Sequence, residues 1–178
     1  MNSCAILGLH PDEMFFKYNE SHPLCIKIKS LISEQIKNFC EHGVRRFYIT
    51  GDRGASMWAG EIVAEMKGSS DYPGIELVCV IPFKSCCSEW DDVDHERFDR
   101  ILSVSDTVEH INSSNDRSAA KKCYRYTIDN SGYLVAVYNE KVKQRSDVGS
   151  AVRYAKKRGK AIVVIQPETA AITTYNAE

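Results

Sequence analysis

Short, nearly unbroken apolar runs constrain this chain more than anything else in it: CAILGL at Cys4–Leu9, FYIT at Phe47–Thr50, ELVCVI at Glu76–Ile81, YLVAVY at Tyr133–Tyr138 and AIVVI at Ala161–Ile165. Each has the length of a strand without the alternation of a half-exposed one, so each reads as a strand buried on both faces. Between them the apolar residues change to helical spacing. Ile28, Leu31, Ile32, Ile36, Phe39 and Cys40 mark a helix over Cys25–His42, with Gly43 as its stop. Trp58, Ala59, Ile62, Val63 and Met66 share one side of a helix over Met57–Met66. Weaker patterns predict a short helix at His95–Ser105, a strand at Thr107–Ile111 and a helix at Asp116–Asn130. Val148, Ala151, Val152 and Ala155 give a last helix before the final strand. Strands alternating with helices imply an α/β domain: three layers, a doubly wound, mainly parallel sheet, helices on both faces. The 178 residues suit one domain with a core at about 4–167, and the polar end, TTYNAE, is expected to fray.

Composition removes several functions. The net charge of −1 argues against a nucleic-acid-binding surface, and Lys156, Lys157, Arg158 and Lys160 sit where a helix C-terminus favours cations. The seven cysteines are odd in number, and several occupy strand or helix positions as small apolar residues. With no N-terminal signal pattern, this predicts reduced thiols and a cytoplasmic protein. No C-x-x-C pair occurs and the five histidines are scattered, so no metal site is expected. The neighbours Cys86 and Cys87 are either a redox pair or an inert loop. No apolar run is long enough for a membrane helix.

The strand-to-helix junctions remain. In a doubly wound sheet, ligands bind beyond the carboxyl ends of the strands. After Thr50 come Gly51, Asp52, Arg53 and Gly54: glycines for a tight turn, then a helix whose free amides attract anions, and an arginine to help hold one. The bland alternative is an ordinary turn with Ser56 as the helix N-cap. Trp58 is either core or a platform for a base, and Glu61 either touches a ribose, acts as a base, or is solvated. Gly8 and His10 end the first strand, and Asp147, Val148, Gly149 and Ser150 open another candidate anion cradle. Asp129 ends a helix just before the YLVAVY strand.

The order CAILGLHP, YITGDRGASMWAGE, YPGIELVCVIPF, RYTIDNS, YLVAVY, GSAVRYAKKRGK resembles the YpsA-like proteins, a bacterial family in the SLOG superfamily beside DprA and the LOG proteins. The resemblance runs from Cys4 to about Pro167. It implies a Rossmann-like fold and a pocket for a nucleotide or nucleotide-derived ligand. Arg125, Tyr126 and Asp129 fit the family pattern. Four positions depart from it: His10 follows Leu9 where Gly-His-Arg-Pro is usual, and Ala55-Ser56 replace Val-Asp. Cys123-Tyr124 stand for Arg-Asn, and Gly149-Ser150 for Gly-Gly-Thr. Either the ligand differs or the site has decayed on an intact fold.

Three functions follow. The first is a non-catalytic sensor or accessory protein that needs no cofactor and binds a nucleotide-like molecule through the residues named above. The second, by resemblance to the LOG proteins, is a nucleotide phosphoribohydrolase cleaving an N-glycosidic bond. Its hallmark Pro-Gly-Gly-x-Gly-Thr-x-x-Glu is missing here, so Glu61 or Asp129 would have to supply the carboxylate. The third is an interaction module working through a protein partner or a second copy of the chain.

Overall fold

The computed structural model describes residues 2–111, 118–141 and 146–176. Its strands are β1 (Ser3–Gly8), β2 (Arg46–Thr50), β3 (Glu76–Ile81), β4 (Thr107–His110), β5 (Tyr133–Val137), β6 (Ala161–Ile165) and β7 (Ile172–Tyr175). Its helices are α1 (Pro23–Glu41), α2 (Ala55–Lys67), α3 (Asp92–Val104), α4 (Ala119–Asp129) and α5 (Asp147–Lys157). The sheet order is β4-β3-β2-β1-β5-β6-β7, parallel except for the antiparallel β6–β7 pair. Helices α1, α2 and α3 form one layer, and α4 and α5 the other. This is the doubly wound, Rossmann-like arrangement that the apolar runs imply. Among the described residues, no helix is long and apolar enough to cross a membrane.

The chain steps outward from β1 to β4, then returns to place β5 on the other side of β1. The connections leaving β1 and β5 therefore diverge, and a crevice opens above their carboxyl ends. Burial explains why the central strands read as unbroken apolar runs: every residue of β1, and all of β2, β3, β5 and β6 after their first, is buried.

Three boundaries differ from expectation for identifiable reasons. Helix α1 starts at Pro23, because His22 Nδ1 accepts the Leu24 N–H at 3.2 Å and proline suits the first helical position. Helix α3 starts at Asp92 rather than His95, since the Asp91 carboxylate accepts the Asp94 N–H at 2.9 Å and caps the turn. Helix α4 is seen from Ala119; positions 116 and 117, where the sequence would begin it, lie outside the described residues.

Among the described residues, the polar C-terminal segment is paired, not frayed. It forms β7, pairing Ile172, Thr173, Thr174 and Tyr175 with Ile165, Val164, Val163 and Ile162. Its polarity reflects an edge position, where three of its four residues are exposed. Tyr175 fastens it: the hydroxyl donates to Glu140 at 2.9 Å, and the Lys156 ammonium sits 3.5 Å from the ring centre. A chain ending at Pro167 should lose about 2 kcal/mol of unfolding free energy in urea titration and self-associate through the bared β6 edge in light scattering.

Candidate functional site

The turn between β2 and α2 is shaped first by packing. Gly54 has φ +86°, and a Cβ there would lie 2.7 Å from the Leu9 carbonyl oxygen. At Gly8 a Cβ would meet that of Ala55 at 2.3 Å. These glycines let the start of α2 lie directly against the end of β1. Ser56 is not the N-cap. Gly54 holds that position, and Ser56 is buried within α2, its hydroxyl accepting the Thr50 N–H at 2.8 Å and donating to the Thr50 carbonyl at 2.9 Å. The hydroxyl thus clamps the end of β2 to the first turn of α2, a long-range role that helix-start preferences do not reveal.

Arg53 leaves this turn on the α3 side. Its Nε donates to His10 Nε2 at 3.2 Å and its Nη1 to Asp94 at 3.4 Å. The guanidinium lies between two rings, 5.1 Å from Tyr18 and 5.4 Å from Trp90. Its Nε and Nη1 are therefore engaged, and two rings pack against it. Trp58 is 1% exposed, with its indole N–H donating to Glu20 at 2.9 Å. Glu61 accepts a two-pronged bond from Arg97, at 2.6 and 3.0 Å, and Arg97 also reaches Glu20 at 2.9 Å. Lys29 adds a further bond to Glu20. A groove of about 720 Å³ borders this cluster. It is larger than the crevice above β1 and β5, but Glu20, Glu61 and Arg97 in its wall already satisfy one another.

That crevice is a cleft of about 490 Å³ lined by Gly8, His10, Glu13, Asp52, Ala120, Tyr124, Ser146, Asp147 and Val148. The end of β1 forms its floor, and the first turns of α4 and α5 form its far wall. Asp52 accepts hydrogen bonds at 2.9 Å from both Tyr124 and Thr50. Burial, then the Asp52 charge and hydrogen bond, push the Tyr124 phenol well above its usual range, so it stays protonated and donates. Ser146 caps α5, its hydroxyl accepting the Gly149 N–H at 3.0 Å, and Ser146, Asp147 and Val148 at this helix start line the cleft. Glu13, Asp52 and Asp147 give the walls an acidic bias.

Of the residues singled out in the sequence, Gly8, His10 and Asp52 line this cleft, with Gly51, Gly54 and Ser56 in the turn beneath and Arg53 behind His10. Arg125 and Ser150 border a small adjoining pocket of about 50 Å³ between α4 and α5, where Arg125 stacks 5.4 Å from the Tyr154 ring. Gly149 is buried under the α5 cap. Trp58 and Glu61 belong to the ion-pair cluster. Asp129 lies at the far end of α4, held by the Tyr154 hydroxyl at 2.9 Å and by Arg158 at 3.1 Å. Neither carboxylate suggested for glycosidic chemistry lines the cleft. Sequence reasoning missed Glu13, Ala120 and Ser146; only Ser146 carried a signal, a serine directly before Asp147 where the helical pattern begins.

Comparison with known proteins identifies relatives along most of the chain. The profile described as YspA SLOG family matches residues 4–170. A UPF0398 protein of Bacillus cereus (strain B4264) is 30% identical over 161 residues, covering 89% of this chain and 85% of the relative. One from Bacillus thuringiensis (strain Al Hakam) is 30% identical with the same coverage. One from Staphylococcus epidermidis (strain ATCC 35984) is 25% identical over 125 residues, 69% of this chain and 65% of the relative. From β1 to beyond β6, then, the chain belongs to the YpsA family of SLOG proteins.

Proposed function

We propose that the chain binds a nucleotide or nucleotide-derived small molecule in the cleft above β1 and β5 and does not turn it over, serving as a sensor or accessory protein. One observation carries the reading: a cleft of about 490 Å³ at the point where the strand order reverses, with the capped start of α5 in its wall. The wall chemistry narrows the ligand. Three carboxylates and the engagement of Arg53 disfavour a polyphosphate chain. Carboxylates accept well from ribose hydroxyls, and one phosphate suits the amides opening α5. A nucleoside monophosphate, or a derivative with a single exposed phosphate, is the best match. Turnover has less support, because Glu61 and Asp129 are bound elsewhere and neither lines the cleft.

Thermal unfolding against a panel of nucleoside mono-, di- and triphosphates tests this. A ligand at about 100 times its Kd adds roughly 2.7 kcal/mol, a rise of roughly 5–10 °C for a chain of this size. The monophosphates should produce it. Ala120→Trp, which fills the cleft from a half-exposed position, should abolish the shift without lowering the unliganded Tm. No shift with any nucleotide, or a shift that survives Ala120→Trp, would overturn the assignment.

The interaction-module reading has one observation in its favour. Phe15 is 77% exposed and Tyr18 47%, on the segment next to His10. Exposed aromatic rings on one segment suit a protein partner.

A further inference from the structure

The cysteines of this chain are not equivalent. Cys4, Cys25, Cys40, Cys79 and Cys123 are buried, and burial pushes each of their thiols upward, Cys25 to about 11 and Cys123 to about 12. Such thiols stay protonated and inert. Cys86 and Cys87 differ in position and in contacts. They lie in the irregular turn between β3 and α3, with their sulfurs 3.2 Å apart, Cys87 buried and Cys86 partly exposed. The hydrogen bond from Cys87 holds the Cys86 thiol below its ordinary value, against burial and the nearby Asp52 charge, while Cys87 is driven up and keeps its proton.

We propose that Cys86 and Cys87 form a two-electron redox site that a hydroperoxide closes into a vicinal disulfide. The accessible Cys86 thiolate attacks hydrogen peroxide, taking one oxygen to become a sulfenic acid and releasing hydroxide. The Cys87 sulfur, already in contact, then attacks the Cys86 sulfur. Its proton and the sulfenic hydroxyl leave as water, the S–S bond forms, and the peroxide has been reduced by two electrons. A dithiol reductant reverses the step by exchange. The segment is a turn outside the helices and strands, held by the Cys86 N–H bond to the Phe83 carbonyl at 3.1 Å and the Ser88 N–H bond to the Ser85 carbonyl at 3.2 Å. Closure needs only the peptide joining the two cysteines to adjust to the small ring.

Closure has a route to the neighbouring site. The Trp90 N–H donates to the Cys87 carbonyl at 3.0 Å, and the Trp90 ring packs on Phe98 at 5.4 Å and on the Arg53 guanidinium. Arg53 in turn holds His10, which lines the cleft. Shifting the Cys87 carbonyl moves the tryptophan that fixes Arg53. The redox step itself does not depend on the cleft binding a nucleotide.

Intact-mass measurement of the folded protein after hydrogen peroxide, under non-reducing conditions, decides the matter. The expected result is loss of two hydrogens, reversed by dithiothreitol, with both sulfurs mapped to one peptide and a reversible change in tryptophan fluorescence that Trp90→Phe removes. Cys87→Ser should stop at a Cys86 sulfenic acid trapped by dimedone, and Cys86→Ser should leave Cys87 unreacted. A disulfide involving Cys79 or Cys123, an intermolecular dimer, or no loss of hydrogens while the protein stays folded would overturn the assignment.

Discussion

Gly54→Ala is expected to lower the unfolding free energy by about 2–6 kcal/mol, the sum of two separate penalties at one position. The first is conformational. Gly54 sits at φ +86°, ψ −136°, a region that residues with a Cβ avoid, at a cost of about 1–3 kcal/mol. The second is contact. The added carbon would lie 2.7 Å from the Leu9 carbonyl oxygen and 3.2 Å from Pro11 Cδ. A backbone oxygen and a proline ring yield little, so α2 would have to back away from β1, and overpacking of this kind costs about 1–3 kcal/mol more. Gly74 separates the two effects. It has φ +75° but nothing within 4 Å of its would-be Cβ, so Gly74→Ala should show the conformational cost alone. Urea titration of both variants, with an unchanged m-value, checks the difference. Equal losses would mean that the approach of α2 to β1 is not tight. A consequence for ligand work is that a binding defect in a Gly54 variant reports on the turn's packing rather than on a phosphate contact.

The same turn shows where the sequence was legible. The GDRG stretch marks a turn at the end of a buried strand, and the structure puts one there. What the sequence could not convey is that Gly8 and Gly54 face partners far along the chain, Ala55 and Leu9. Helix rotation decided two other residues. Trp58 and Glu61 lie early in α2, close to the cleft in sequence, yet the helix turns them toward Glu20 in the segment before α1 and Arg97 on α3. Asp129 illustrates direction. A helix linking parallel strands runs back along the sheet, so its last residue lies at the amino ends of the strands, opposite any ligand crevice. Topology alone would have placed it there. Ala120 carries no chemistry that could single it out. The β7 strand escaped for a different reason: apolar runs reveal only strands buried on both faces, and an edge strand with three exposed residues does not present one.

Arg97→Met should have the second large effect, and its pH dependence separates charge from packing. Arg97 bridges Glu61, Glu20 and Asp94 from α3, joining the segment before α1 to α2 and α3. Removing one partner from a buried ion pair costs about 3–5 kcal/mol. Here the side chains of Glu20 and Glu61 are 31% and 32% exposed, so water can partly replace the guanidinium and a loss of about 2–3 kcal/mol at neutral pH is expected. Burial on its own pushes Glu20 upward, but hydrogen bonds from Lys29, Trp58 and Arg97 outweigh it and hold the carboxyl below the usual glutamate range. A depressed carboxyl stabilises the fold fully above its unfolded value, and that stabilisation disappears as pH falls through the lower folded value. The wild-type chain should therefore lose stability in acid. Arg97→Met lacks the arginine's share of that stabilisation while Lys29 and Trp58 still hold Glu20, so the gap between them should narrow in part below about pH 4. Glu61→Gln combined with Arg97→Met should cost less than the two single changes added together, because the double variant leaves no unpaired carboxylate at that position. Urea unfolding across the acid range supplies both readings. A gap that stays constant with pH would assign the loss to packing of the arginine stem against its neighbours instead of to its charge.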